Sequence, residues 1–501
     1  MIELTVQEIA DAVAGRVVGM AEAERSTVSC DSATTDSRDV VPGTLFIAKP
    51  GEVTDGHRFV GGSRAAGSPV ALAEREVTDE SGEPYPAILV DDVVAAMGRL
   101  AHHIVGELRR TGDVTVIGIT GSAGKTTTKD LLAGIFGAHG PTIAPVGSYN
   151  GEVGVPLTVF RADRSTRFLV IEMGANHIGN IRYLCDMVMP DLGAILKVGT
   201  AHAGEFGGVE NIAITKSELA DGVAPDGGVA LNIDDPRVAP MQAKASAPVT
   251  YFGVEGRHVR DGEKNLVEAR NLRTDADGCP RFQLAFPDGG EFDVASKLIG
   301  EHHVYNLLAA AVLAFRAGIE PRDIVEGLNT LGAGSRYRME RTDRADGVTV
   351  INDAYNANPE SMSAALRTLA QMGRDAQPPR RTWAVLGPML ELGDASVEEH
   401  DKLGRQVVRL NIPKLIVIGD EAAPIFNAAH LEGSWGDEAV WVKDVDEAYE
   451  ILRRELREGD IALFKSSNGA GLRFLGDRVA HDHPGDPHSG HELGRKAQGT
   501  A

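Results

Sequence analysis

The chain has 501 residues, 43% of them hydrophobic, with 58 glycines and a net charge of -22 from 72 acidic against 50 basic side chains. That length calls for two to four domains rather than one core, and the acidic balance argues against a nucleic-acid backbone as partner. Three cysteines, Cys30, Cys185 and Cys279, lie far apart without CxxC spacing, which points to free thiols in a reducing compartment rather than a zinc site or disulfide framework.

Glu3, Glu8 and Asp11 stand where a secretory signal would be basic, and no stretch approaches eighteen apolar residues. A cytoplasmic protein without membrane insertion is therefore expected. Up to about residue 111, short strands at 44–49 and 87–90 alternate with small helical patches. Residues 93–110 predict an amphipathic helix, which Thr111-Gly112-Asp113 ends.

The apolar run 114–119 predicts a buried parallel strand, and 126–136 has apolar residues at helical spacing. Between them stands Gly118-Ile-Thr-Gly-Ser-Ala-Gly-Lys125, followed by Thr126, Thr127 and Thr128. A glycine turn between strand and helix aims backbone N–H groups, backed by the helix dipole, at whatever sits there. Lys125 adds a positive charge and Thr126 a hydroxyl suited to Mg2+, so the expected occupant is the phosphate tail of a nucleoside triphosphate. The generic pattern wants a glycine at position 119, where this chain has isoleucine, with glycines at 118 and 121 instead.

Strand signals recur at 168–172, 194–198 and 228–232 with helices between, which predicts a parallel sheet covered on both sides. Glu172 leaves its strand beside the phosphate loop, well placed for Mg2+. His202 follows the next strand and is a plausible second metal ligand. For Lys216, on a helix, residue chemistry alone favours a snorkelling surface lysine. Residues 250–295 read as short antiparallel strands forming a side sheet. From about 332, strands at 348–351, 382–386, 414–418 and 461–464 alternate with helices at 361–372 and 396–410, which predicts a second open α/β sheet. Ligands of such sheets sit beyond the strand carboxyl ends, where Asn352-Asp-Ala-Tyr-Asn-Ala-Asn-Pro-Glu-Ser361 crowds polar groups against a proline. From His481 onward, the chain is rich in breakers and predicts disorder.

These motifs together resemble the Mur ligases of peptidoglycan synthesis, ATP-dependent enzymes that form amide bonds. The resemblance covers nearly everything from Thr35 to about Val479. The phosphate loop is shared across that family and with folylpolyglutamate synthetases. Asp353-Ala-Tyr-Asn-Ala-Asn-Pro359, Glu172-Met-Gly-Ala-Asn-His177 and Leu386-Gly-Pro-Met-Leu-Glu-Leu-Gly393 are more discriminating. They resemble the branch that adds D-alanyl-D-alanine to UDP-N-acetylmuramoyl-tripeptide. The loop and the Asp-Asn-Pro-Arg motif of the branch that adds the third residue are absent from the sequence.

The resemblance implies three α/β domains: a UDP-muramoyl-binding domain (1–112), a central P-loop parallel-sheet domain (113–331) and a Rossmann-like ligase domain (332–480), with a tail at 481–501. It implies ATP, two Mg2+ ions and a carbamylated Lys216, which reverses the surface reading of that lysine. Lys125, Asn150, Glu172, His202 and Lys216 would be catalytic, with metal on Thr126, Glu172, His202 and Lys216. Nucleotide would be held by Gly121, Ser122, Ala123, Gly124, Lys125, Thr126, Thr127, Asn306, Arg336 and Asp353. Ser37 and Arg38 would serve the UDP moiety, and Asp353, Tyr355, Asn356 and Asn358 the remaining substrate groups. A monomer is expected. The sequence departs from the family pattern at Gly151, His303, Ser335, Pro388, Ser466 and Asn468; none of these removes a phosphate or metal group. Other amino-acid ligases of the Mur or folylpolyglutamate type remain the alternative. A GTPase-like switch would need an Asn-Lys-x-Asp guanine loop, which the sequence lacks.

Overall fold

The computed structural model describes residues 1–51, 54–199, 206–260, 262–433 and 438–481. They fold around three main α/β sheets. The first has five strands in the order Arg16–Val18, Ala87–Leu89, Ala71–Ala73, Thr44–Ile47, Ser32–Thr34, all parallel except at the Arg16–Val18 edge. The helix Val93–Thr111, capped by the Asp92 carboxylate on Ala95 N–H, leaves this unit and packs against the central one. Its apolar stripe, including Met97, Leu100 and Ile104, belongs to a core that continues under the central sheet to Leu169 and Ile171.

The central sheet has nine strands. Six run parallel from Thr142–Ile143 through Phe168–Glu172, Thr115–Thr120, Leu192–Ile195, Gly228–Asn232 and Val249–Val254, and Leu266–Thr274 continues them in parallel. Two antiparallel strands, Pro280–Ala285 and Glu291–Ala295, complete it. The expected side sheet is thus an extension of the main one, and its first two strands are parallel. A continuous hydrogen-bond ladder leaves fewer open edges than a separate small sheet would. Alternation divides the strand faces: Leu169 and Ile171 point to one core, Phe168 and Val170 to the other. The strand expected at 194–198 ends earlier, at Ile195, and the chain beyond it borders the site.

The third sheet has six strands, Glu340–Asp343, Thr349–Asn352, Ile461–Lys465, Thr382–Leu386, Lys414–Ile418 and Ala439–Val442, parallel except at the first. The antiparallel edge Glu340–Asp343 is Glu-Arg-Thr-Asp, without an apolar residue, and the strand Ala439–Val442 is a four-residue apolar run too short to show a period, so neither stands out in sequence.

The turn between Leu266–Thr274 and Pro280–Ala285 reaches into this third unit. Cys279 and Ile299 lie in one core with Met339, Met362 and Leu369. Arg341 pairs with Asp277 at 2.7 Å, and the Gln371 amide donates to Thr274 Oγ1 at 2.5 Å. Among the described residues no helix is long and apolar enough to cross a membrane.

Candidate functional site

The strand Thr115–Thr120 lies between Phe168–Glu172 and Leu192–Ile195, where the strand order of the central sheet reverses. Its carboxyl end is therefore the natural crevice. The turn after it is tied to the neighbouring strand end: Ser122 N–H donates to Lys197 O, and Gly199 N–H to Ser122 Oγ, both at 2.9 Å. Gly124 caps the following helix, Lys125–Gly137, in the left-handed region at φ 89. A Cβ there would stand 2.2 Å from Asn306 Oδ1, so both conformation and space require glycine.

This helix start opens on a cavity of about 1070 Å3 walled by the central and third units. Ser122, Ala123, Gly124, Lys125, Thr126 and Thr127 line its floor, and Gly121 belongs to the same turn. Lys125 is half-buried and donates to Gly121 O at 2.9 Å. Burial lowers its pKa, with Glu172 opposing the shift. Glu172 is 1% exposed and accepts from Thr126 Oγ1 at 3.1 Å and from Asn150 Nδ2 at 2.9 Å. Ser148 Oγ lies 3.3 Å from Thr126 Oγ1. A carboxylate, two hydroxyls and an amide gathered this closely form an oxygen-rich donor set of the kind Mg2+ takes with phosphates. Among the described residues no group of three or more His, Cys, Asp or Glu is placed to hold a metal ion by itself.

From the third unit, Arg338 reaches over this floor. Its guanidinium donates to Ser148 Oγ at 3.3 Å and Thr126 Oγ1 at 3.4 Å, and stacks over the Tyr355 ring at 4.4 Å. Sequence reasoning chose Arg336 instead. That side chain lies outside the lining, paired with Asp477 at 2.9 Å. Left-handed backbone at Tyr337 (φ 62) and Met339 (φ 51) breaks the strand alternation and sends the two arginines different ways. Only the paired arginines in Ser335-Arg-Tyr-Arg-Met339 hinted at this.

The polar loop after Thr349–Asn352 forms the opposite wall, with Asp353, Tyr355, Asn356 and Asn358 all in the lining. Asn358 caps the helix Pro359–Asp375 by accepting from Ser361 N–H at 2.8 Å. The far end is walled by Asp234, Arg257, Tyr305, Asn306 and the rings of His302 and His303, 4.2 Å between centroids and tilted 38° to each other. Asn306 Nδ2 donates to His303 Nδ1 at 2.9 Å. Burial lowers His302 to about 4 and His303 well below the usual imidazole range, so both rings are neutral at pH 7. Two neutral imidazoles, a phenol and an amide beside Asp234 and Arg257 at one end, with Lys125, Arg338 and a helix N-terminus at the other, suit a ligand with a base at one end and an anionic tail at the other.

Lys216 is 6% exposed on the helix Val209–Gly222, so the snorkelling expected from residue chemistry alone does not occur. Burial, and secondarily the Lys125 ammonium, lower its pKa to about 7, and its ammonium has no ion-pair partner among the described residues. His202 lies outside the described residues. Ser37 and Arg38 occupy a 3-10 turn of the first unit, away from this cavity's lining, where Arg38 pairs with Asp36 at 2.6 Å.

Family profiles match most of the chain: the Mur ligase family catalytic domain at residues 31–104, the Mur ligase middle domain at 119–314, and the Mur ligase glutamate ligase domain at 337–468. The UDP-N-acetylmuramoyl-tripeptide--D-alanyl-D-alanine ligase of Mycobacterium tuberculosis H37Rv is 41% identical, over 96% of this chain and 98% of that protein. The Bacillus subtilis 168 protein of the same name is 32% identical, over 95% and 98%. A crystal structure of MurF from Acinetobacter baumannii superposes with a TM-score of 0.82 at 30% identity, over 96% of this chain and 99% of that one.

Proposed function

The chain belongs to the Mur ligase family, and on that premise we propose that it joins D-alanyl-D-alanine to the terminal carboxylate of UDP-N-acetylmuramoyl-tripeptide. ATP is consumed, and the products are UDP-N-acetylmuramoyl-pentapeptide, ADP and phosphate, for peptidoglycan synthesis in the cytoplasm. The observation that carries this reading is one cavity with two opposed walls: the phosphate-binding turn on one, the Asp353–Asn358 loop of the dipeptide-adding branch on the other.

A carboxylate is a poor electrophile, because its delocalised negative charge lowers the electrophilicity of the carbon and it has no good leaving group, so it must first be activated. A carboxylate oxygen attacks the γ-phosphorus of ATP, the bond to the bridging oxygen breaks, and ADP leaves. The dipeptide amine then attacks the acyl phosphate carbonyl, and phosphate departs from a tetrahedral intermediate as the amine gives up a proton. The first step brings two anions together. Lys125, the amides of the helix start and Arg338 offset that repulsion and hold the reacting oxygens in line. Thr126 and Glu172 would hold Mg2+, which when bound neutralises phosphate charge. His202 and a carbamylated Lys216 are the proposed holders of a second ion. Lys216 suits that role chemically, because only an uncharged amine adds CO2 and its pKa of about 7 leaves a large neutral fraction. Ser37 and Arg38 are assigned to the UDP moiety, and the chain is proposed to act as a monomer.

Purified protein given ATP and each UDP-muramoyl precursor in turn should form product only from a tripeptide, with lysine or meso-diaminopimelate as third residue, plus D-alanyl-D-alanine. Ligation of a single amino acid to a shorter precursor, with none here, would overturn the assignment. Closure is expected to accompany binding, with rotation absorbed near Thr111 and Gly332. Solution scattering should show a smaller radius of gyration with an ATP analogue and UDP-tripeptide together; identical profiles with and without them would count against closure.

A further inference from the structure

Lys465 ends the strand Ile461–Lys465, between the ends of Thr349–Asn352 and Thr382–Leu386. Its side chain is 3% exposed although it lines the cavity. An ammonium has three hydrogens to donate, and here three acceptors take them: Asp353 Oδ2 at 2.5 Å, Asn356 O at 3.1 Å and Asp353 O at 3.4 Å. No donor remains for a substrate. Lys465 is therefore built to hold protein, not ligand.

What it holds matters for the reaction. The other carboxylate oxygen of Asp353 accepts from Met339 N–H at 3.1 Å, next to Arg338. The Asn356 carbonyl that Lys465 binds belongs to the same loop as Tyr355, on whose ring the Arg338 guanidinium rests. The two supports of Arg338 from its own unit, its backbone neighbour and its aromatic platform, thus converge on one buried ammonium. Asp353, expected from sequence to touch nucleotide and substrate, has both oxygens committed to this assembly.

We propose that Lys465 is a positioning residue for phosphoryl transfer, acting through Asp353 and the Asn356 carbonyl to aim Arg338 at the phosphate end of the cavity. The proposal rests on the ligase reading above. Without Lys465 the half-buried Asp353 carboxylate loses its counter-charge and the loop loses its anchor, so Arg338 keeps its charge but not its direction.

A double-mutant cycle tests this. Arg338→Ala should lower kcat by roughly 100-fold, the scale of losing one charge-stabilising donor. Lys465→Met should lower kcat by roughly 30-fold, with KM for UDP-tripeptide changed less than about twofold. The double variant should match Arg338→Ala within about threefold, because the effects share one path. Losses that multiply, or a Lys465→Met enzyme with wild-type kcat, would overturn the proposal. Should Lys465→Met not fold, Asp353→Asn takes its place in the cycle under the same criterion, since it keeps an oxygen for Met339 N–H but loses the charge. Hydrogen exchange supplies a readout apart from activity: residues 336–340 should lose protection in Lys465→Met while Thr382–Leu386 keeps it. Unchanged protection at 336–340 would count against the proposal. An inactive wild type with every precursor would instead overturn the ligase reading itself, and this proposal with it.

Discussion

Replacing Lys125 with alanine is expected to lower ligation by about 1,000-fold or more while leaving the fold intact. The side chain is only half-buried, and its one hydrogen bond among the described residues is to the carbonyl of Gly121 within its own turn. Little of the apolar core depends on it. Its charge, however, faces the floor where phosphate and carboxylate must meet. Two unit charges about 4 Å apart at an effective dielectric constant of about 20 interact by about 4 kcal/mol, which corresponds to roughly 1,000-fold in rate if the interaction is realised in the transition state. Acyl phosphate formation, measured by trapping with hydroxylamine, should fall together with overall turnover. The thermal midpoint should move by no more than a few degrees. Wild-type acyl phosphate formation in the variant would show that the turn serves some other purpose.

The second large effect is expected at Lys216. Lys216→Ala should cripple the ligase, and short-chain carboxylates should restore part of its activity by supplying the missing negative charge. Lys216→Arg should fail despite keeping a cation, because a guanidinium forms no carbamate. Retention of full activity by the arginine variant would overturn the assignment. A pH dependence follows from the shift to about 7. The folded-state pKa lies below the ordinary lysine value, so the amine is charged below about pH 7 and mostly neutral above it. Activity at fixed dissolved CO2 should therefore rise as pH climbs from about 6 to 8, and removing CO2 should lower it. The same shift affects stability. Between about pH 7 and the ordinary lysine pKa near 10.5 the unfolded chain binds more protons at this site, so its destabilising contribution fades as pH rises across that window.

Much of this arrangement could be read from residues in advance, for identifiable reasons. The strand ahead of Gly121 and the strand Phe168–Glu172 are near-continuous apolar runs, and glycines punctuate the step from Thr115–Thr120 into the helix Lys125–Gly137. Their side-chain environment is set locally. Arg338 could not be picked out because its direction depends on positive-φ backbone at Tyr337 and Met339, which local propensity does not foresee in a tyrosine and a methionine. The burial of Lys216 is likewise a tertiary fact: its helix carries a polar-looking sequence, yet the face bearing Thr215, Lys216 and Leu219 is turned inward. The strands from Val249 to Thr274 read as antiparallel because their charged turns suggested hairpins. Parallel pairing with Gly228–Asn232 is decided by partners distant in sequence.

The turn that carries Cys279 into the core of the third unit bears on how such a protein can change over generations. A Cβ on Gly278 would stand 2.9 Å from Met372 Cγ, and Cys279 and Ile299 fill space among residues that belong topologically to another sheet. The two α/β units are thus not interchangeable modules, whatever their separate ladders suggest. A lineage that enlarges Met372 or reshapes the helix Pro359–Asp375 must adjust Gly278, Cys279 and Ile299 in step. Recombination between relatives should be tolerated where the crossover keeps those partners together and rejected where it parts them.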